Sequence, residues 1–327
     1  MLLLLPSPAF AQDKFQDSII QKFGYRQYQI NKQSDTIYFY VNQRGSTPKK
    51  HMVLYLGGSD PQPLFSYEYV NGQLKSYVWG HKDYLNVPED YIYVVIAKPG
   101  MEGVWNEKDL SESTPAKYLD KNSLDYRVWQ ANHVINYCRR KLLARGGKTI
   151  VYGHSEGFNV VSKLLTVNKK ITHAGLWAGS AMPDYFDFMM FRRKSVTKGE
   201  LSDSAATREI DTLLIDYQNI FANPTYHKPG SIYTNKRWIS YAESPVNHLV
   251  KVKIPIYMLA STMDDNAPFE DSFIVPLEFI RLGKTNLTLR TCIGCDHSLN
   301  IKTEAGDKLS YWNDYFKDFL NWTDTLK

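Results

Sequence analysis

Cysteine is scarce in this chain. Cys138, Cys292 and Cys295 are the only three in 327 residues, which excludes a scaffold held together by several disulfides. Cys292-Ile-Gly-Cys295 has the spacing of half a zinc site, but a closed site needs a second ligand pair at similar spacing and the sequence offers none. No metal is therefore expected. The pair reads best as two small buried thiols, with a local disulfide as the alternative, and Cys138 falls on the apolar face of a helix. Long apolar runs are also missing: Met1-Leu-Leu-Leu-Leu is far too short to cross a bilayer. Positive charge is not concentrated anywhere. The net charge of +5 is spread thinly and no basic run is longer than Arg139-Arg140-Lys141, which lies at a helix end, so nothing supports a nucleic-acid partner. There is no internal repeat, which excludes solenoids and propellers.

What is present is a chain of 43% hydrophobic residues, long enough to bury a large core. Its apolar pattern alternates between two periods. Tyr91 to Ala97, Lys148 to Tyr152 and Lys253 to Ala260 read as buried strands, and Leu287 to Thr291 as the last strand. Asp35 to Val41 alternates polar and apolar, as an edge strand does. Leu124, Val128, Ala131, Ile135, Cys138 and Leu142 recur at helical spacing up to Gly146-Gly147, and Leu309, Trp312, Phe316, Phe319 and Leu320 predict a terminal helix. Alternation of this kind predicts the α/β class: a mostly parallel, doubly wound sheet covered on both faces. The alternation breaks at about residues 181–250, where a Tyr-, Phe- and Met-rich segment precedes a charged helical stretch.

Gly153-His154-Ser155-Glu156-Gly157 stands between a β-branched strand and a helical apolar pattern. A serine at such a strand-to-helix turn is a nucleophile elbow: the glycines admit the close approach of strand and helix, and the serine sits where helix N–H groups favour negative charge. A serine nucleophile needs a base and an orienting acid. Both occur downstream, as Asp264 after the Ile254–Ala260 strand and His297 in Gly294-Cys295-Asp296-His297. The order Ser, Asp, His is that of the α/β-hydrolase fold. Asp265 competes with Asp264 for the acid role. His154 reads as a structural residue of the turn.

On these motifs the chain resembles the α/β-hydrolase superfamily, and within it the dienelactone-hydrolase-like and prolyl-oligopeptidase-like serine hydrolases, from about Lys50 onward. The resemblance implies Ser155 as nucleophile, His297 as base and Asp264 as acid. It implies an oxyanion hole from the amide of Glu156 and one from the Gly57-Gly58-Ser59 loop, Ser59 ahead of Gly58. It also implies a helical cap inserted after the sixth strand, at about 181–250, with Phe158, Tyr185, Phe188 and Met189 as candidate substrate-pocket residues, and it calls for no metal or organic cofactor. Phe158 and Ser261 depart from the family, which often has glycine at both; Phe158 implies either closer packing of the elbow helix or a bulkier pocket wall.

Residues 1–11 resemble the end of a secretory signal peptide, with Ala9-Phe10-Ala11 as the cleavage pattern. A single hydrolase domain over 12–327, periplasmic or secreted, is expected. Its expected activity is hydrolysis of a small-molecule ester or short peptide through an acyl-enzyme. Some forty residues separate the cleavage pattern from the Met52 strand, which leaves no room for a propeller and tilts the reading toward esters. The alternatives are a peptidase, an acyltransferase using the same triad, and a non-catalytic binding protein on the same fold.

Overall fold

The computed structural model describes residues 8–32, 35–80, 82–111 and 114–325. Most of the expected signal segment, residues 1–7, lies outside the described residues; Ala9 to Ala11 belong to a helix, α1, Pro8–Lys22.

Eight strands form the main sheet: β1 Tyr25–Lys32, β2 Asp35–Gln43, β3 His51–Leu56, β4 Tyr91–Ile96, β5 Thr149–His154, β6 His173–Trp177, β7 Ile256–Ser261 and β8 Leu287–Cys292. Their spatial order is β1-β2-β4-β3-β5-β6-β7-β8. β1, β2 and β4 pair antiparallel, whereas β5 through β8 run parallel. β5, β6 and β7 are buried along their whole length, as strands covered on both faces must be. β2 was expected at an edge, but Ile37, Phe39, Tyr40 and Val41 are fully buried. β1 takes the edge instead, and its mostly exposed Tyr-Arg-Gln-Tyr-Gln-Ile-Asn-Lys carried no apolar signal.

The chain divides into two compact units. One comprises residues 1–53, 60–121 and 133–147. Its core gathers around Phe65, whose ring meets Tyr40 at 5.0 Å and Tyr25 at 5.5 Å. Phe65–Val70 and Gln73–Val78 form a hairpin. Its two turn residues, Asn71 and Gly72, both have positive φ, the geometry that Asn-Gly supplies in a two-residue loop.

The other unit comprises residues 54–59, 122–132 and 148–327. It contains β5 to β8 and the helices Glu156–Val167 (α2), Asp184–Thr197 (α3), Asp203–Ala222 (α4) and Trp312–Thr325 (α5). Two helices, α3 and α4, with the shorter helix Asn235–Ser240, fill the segment between β6 and β7. Trp312, Phe316, Phe319, Leu320 and Thr323 form the buried stripe of α5. Leu309, expected at the start of that helix, lies in a short strand, Lys308–Ser310, and is exposed. The α5 stripe meets an aromatic cluster on the sheet: Phe319 lies 5.4 Å from Tyr257, 5.8 Å from Trp177 and 5.9 Å from Tyr152, ring centre to ring centre. Gly175 lies beneath it, where a Cβ would come within 2.9 Å of the Phe319 ring. Phe319→Ala should therefore lower unfolding free energy by about 3–5 kcal/mol. Leu309→Ala should stay within about 0.5 kcal/mol of wild type. Urea unfolding of the two variants checks the contrast.

Candidate active site

The turn after β5 is crowded from both sides. A Cβ on Gly153 would lie 2.1 Å from the Gly157 carbonyl oxygen, and one on Gly157 would lie 1.9 Å from the Leu56 carbonyl oxygen. Only glycine fits at either position. Between them Ser155 adopts φ 57° and ψ −127°, a conformation that costs a non-glycine residue on the order of 1–3 kcal/mol. Two hydrogen bonds fix it: its N–H donates to the Trp177 carbonyl at 3.1 Å, and its carbonyl accepts from Phe158 N–H at 2.9 Å. Phe158 itself is fully buried. Its bulk is taken up across the turn, where a Cβ on Gly179 would come within 2.4 Å of Phe158 Cβ. It is a packing residue and does not line the cavity described below.

His297 and Asp264 follow β8 and β7, so they reach the same carboxyl edge of the parallel strands as Ser155. His297 Nδ1 lies 2.9 Å from Asp264 Oδ1 and 3.0 Å from Oδ2. Asp264 is buried and also accepts the amides of Asn266, at 2.8 Å, and Ala267, at 2.9 Å. Asp265 points away, exposed, and accepts from the Asn266 side chain. His154 braces the His297 loop from below through its Nε2, 2.8 Å from the His297 carbonyl oxygen, and through ring contact at 4.7 Å. Cys292 and Cys295 are joined in a disulfide, against the expectation of two thiols. The turn at Gly294, with φ 77°, brings their Cα atoms to 5.5 Å, inside the range a disulfide spans.

Glu156 contributes more than its backbone amide. Its carboxylate is buried and pairs with two buried arginines, Arg127 through Oε1 and Arg237 through Oε2 at 2.7 Å. Arg127 also donates to the carbonyl oxygens of Gly57, at 2.8 Å, and Gly58, at the longer 3.5 Å. Because the peptide unit is planar and trans, holding those carbonyls turns the Gly58 and Ser59 N–H groups the opposite way. The loop they belong to closes on the elbow: a Cβ on Gly58 would lie 3.3 Å from Ser155 Cβ and 3.5 Å from Oγ. Arg237 is capped by Asp184 at 3.1 Å and stacks on Tyr233, Trp238 and Tyr241 at 4.3–4.6 Å. Burial disfavours its charge, but Glu156 and Asp184 outweigh that and hold the guanidinium more firmly protonated than a free arginine. Both arginines were missed in the sequence, where neither belongs to a motif. Removing one partner of a buried ion pair leaves the other uncompensated. Glu156→Gln should accordingly destabilise the fold by about 3–5 kcal/mol in denaturant titration.

Ser155 and His297 line one cavity of about 200 Å³. Its other walls mix polar side chains, Ser59, Asn159, Ser180, Asp184, Asp187 and Arg237, with the aromatic faces of Phe188, Tyr233 and Trp238. Tyr185 lines instead a larger cavity of about 570 Å³ that shares Tyr233 and Trp238 with the first, and Met189 is half-buried and lines neither. Among the described residues no cluster of three or more His, Cys, Asp or Glu is disposed to hold a metal ion, and no helix is long and apolar enough to cross a membrane.

Asp187 is the unexpected member of the cavity wall. Burial, reinforced by the neighbouring Asp271 charge, pushes its carboxyl up to about 9 from 3.8. The folded protein thus holds a proton that the unfolded chain releases across that interval, so this group's contribution to stability falls as pH rises from about 4 to about 9. Relative to Asp187→Asn, wild type should lose stability through this window by at most about 1.4 kcal/mol per pH unit. Urea unfolding of both proteins at several pH values measures the slope.

No family model matches the chain, and no curated protein matches it. Solved structures do. The acylaminoacyl peptidase of Pyrococcus horikoshii is 12% identical, with a TM-score of 0.55; the match covers 92% of this chain and 41% of the peptidase, so the chain spans less than half its length. Est1E of Butyrivibrio proteoclasticus, solved with ferulic acid bound, is 13% identical over 91% of this chain and 100% of its own, with a TM-score of 0.58. An esterase of Pyrococcus furiosus is 13% identical over 92% and 93%, with a TM-score of 0.53. The sheet order, the elbow after β5 and these likenesses agree: the chain has the α/β-hydrolase fold.

Proposed function

We propose that the protein is a serine hydrolase that cleaves a small ester or short amide through an acyl-enzyme. The observation that carries this reading is the His297–Asp264 pair, at 2.9 and 3.0 Å, in the cavity that Ser155 also lines. Ser155 Oγ attacks the substrate carbonyl while His297 Nε2 takes its proton. Asp264 accepts from Nδ1–H, selects that tautomer and stabilises the imidazolium. The tetrahedral oxyanion is received by the amides of Glu156 and Ser59, with Gly58 N–H as the second choice on the loop that Arg127 orients. His297 then protonates the leaving group, and water resolves the acyl-enzyme by the reverse sequence.

The hydrolase reading is supported by the neighbours, which include esterases and a peptidase of this fold. Export to the periplasm or beyond is part of the proposal; the apolar N-terminal run and the Cys292–Cys295 disulfide favour an oxidising compartment. Peptidase and acyltransferase activity use the same residues and differ in which acceptor or leaving group the acyl-enzyme meets.

A fluorophosphonate probe should label the protein once, and Ser155→Ala should abolish the label. Asp264→Asn should lower kcat on a p-nitrophenyl ester by about 10⁴, because the wrong His297 tautomer is then favoured. Asp265→Asn should change it by far less. Labelling that survives Ser155→Ala, or the two aspartate effects reversed, would sink the assignment.

A further inference from the structure

Ser180 has one hydrogen and too many acceptors. Its Oγ lies 2.9 Å from Asp187 Oδ1, in hydrogen-bond contact with Asp271 Oδ2, and 3.0 Å from the Met182 carbonyl oxygen, while it accepts the Met182 amide at 3.1 Å. A hydroxyl donates once. Between two carboxylates it satisfies only one, and the other must bring a proton of its own. Asp271 Oδ2 also accepts the backbone amides of Ala181 and Met182, the latter at 3.2 Å, which suits an anion. The Ser180 proton therefore goes to Asp271, and the extra proton resides on Asp187 Oδ1 and is donated to Ser180 Oγ. Burial pushes both carboxyls up, Asp187 to about 9 and Asp271 in the same direction, but at Asp271 the hydrogen bonds from Ser180 and from the Ala181 and Met182 amides oppose the shift, so Asp187 is the better holder of the proton.

That leaves Asp187 Oδ2. Asp187 is 3% exposed and forms part of the wall of the catalytic cavity. Among the described residues its second oxygen has no hydrogen-bond partner, and in the protonated carboxyl that oxygen is an acceptor. Asp184 lines the same cavity with a carboxylate whose Oδ2 is engaged by Arg237. Of the charged groups that line the space, Asp184 and Glu156 are carboxylates and Arg237 is a guanidinium. Negative charge is in excess. A volume of about 200 Å³ leaves room for a small acyl group.

We propose that this cavity takes an acyl group bearing a primary ammonium, whose N–H donors go to Asp187 Oδ2 and the Asp184 carboxylate. The substrate class is then a small aminoacyl ester or amide. The proposal deepens the serine-hydrolase reading, but the recognition step does not require catalysis and is tested apart from it.

The test is calorimetric titration of the Ser155→Ala protein with alaninamide, lactamide and propionamide, three ligands of one size that carry an ammonium, a hydroxyl and a methyl group. Alaninamide should bind at least about thirtyfold more tightly than propionamide, the scale of a desolvated charge pair. Adding Asp187→Ala, which removes the acceptor, should collapse that ratio, whereas Asp187→Asn, which keeps a donor toward Ser180 and an acceptor toward the cavity, should preserve it. Where the Asp187→Ala double variant does not fold, Asp184→Asn takes its place, and the three-ligand comparison on Ser155→Ala stands by itself. Propionamide or lactamide binding as tightly as alaninamide, or no binding by any of the three, overturns the proposal. Amine selectivity without fluorophosphonate labelling of wild-type Ser155 supports it and counts against the serine mechanism alone. Labelling without amine selectivity does the reverse.

Discussion

The buried carboxylate of Glu156 is the interaction on which the site depends. Ionised groups at this depth are costly to desolvate, and the cost is recovered only when every partner is in place. Its partners come from separate parts of the chain. Arg127 belongs to the long helix after Ser123, Arg237 to the helical segment between β6 and β7, and Glu156 to the first turn of α2. The next bonds out reach the Gly57 carbonyl on one side and Asp184 on the other. A single charge thus sets the register of the elbow helix, the loop facing it and the inserted helices. The residue whose amide follows Ser155 is also the residue whose side chain, through Arg127, fixes where the opposing amides point.

Against that framework the strain at Ser155 is small. A positive φ outside glycine costs on the order of 1–3 kcal/mol. The helix it starts buries Phe158, Val160, Val161, Leu164 and Leu165, and each such side chain contributes roughly 1.5–3 kcal/mol. The packed face of α2 outweighs the strained turn several-fold, so the serine is held in its unfavourable backbone by burial elsewhere on the same helix. Gly153, Gly157 and Gly179 make this possible by removing side chains where backbone meets backbone or Phe158.

How much of this could be read beforehand follows from how local each signal is. The parallel strands were legible because continuous apolar runs of Val, Ile and Leu have few other uses. Ser155, Asp264 and His297 were legible because strand ends and chain order announce them, and the structure brings His297 to Asp264 and both histidine and serine to one cavity. β1 was not legible, since an exposed edge strand such as Tyr25–Lys32 has no apolar face to alternate. Arg127, Arg237 and Asp187 were invisible for a different reason. Each is a polar residue in a helical pattern that ordinarily means solvent, and burial there is decided by distant partners: Glu156 lies 29 residues from Arg127 and 81 from Arg237, and Asp187 meets Ser180, which itself reaches Asp271 91 residues along the chain. Phe158 shows the converse. Its size suggested a pocket wall, but the absent side chain at Gly179 made a closed niche for it.

The wall between the two cavities belongs to the same electrostatic framework. Tyr233 and Trp238 border both spaces, and both rings stack on Arg237 at 4.3 and 4.4 Å. Tyr233 also donates its hydroxyl hydrogen to Ser59 Oγ at 2.7 Å, which ties the wall to the loop opposite Ser155. An arginine held charged by Glu156 and Asp184 keeps its guanidinium plane in place, and the rings that rest on that plane are fixed with it. The partition that bounds the Ser155 cavity is therefore set by the charge that also orients the Gly57-Gly58-Ser59 loop. A change that weakens the Glu156 pairings acts on pocket shape and on the geometry around Ser155 together, because both are read from one carboxylate.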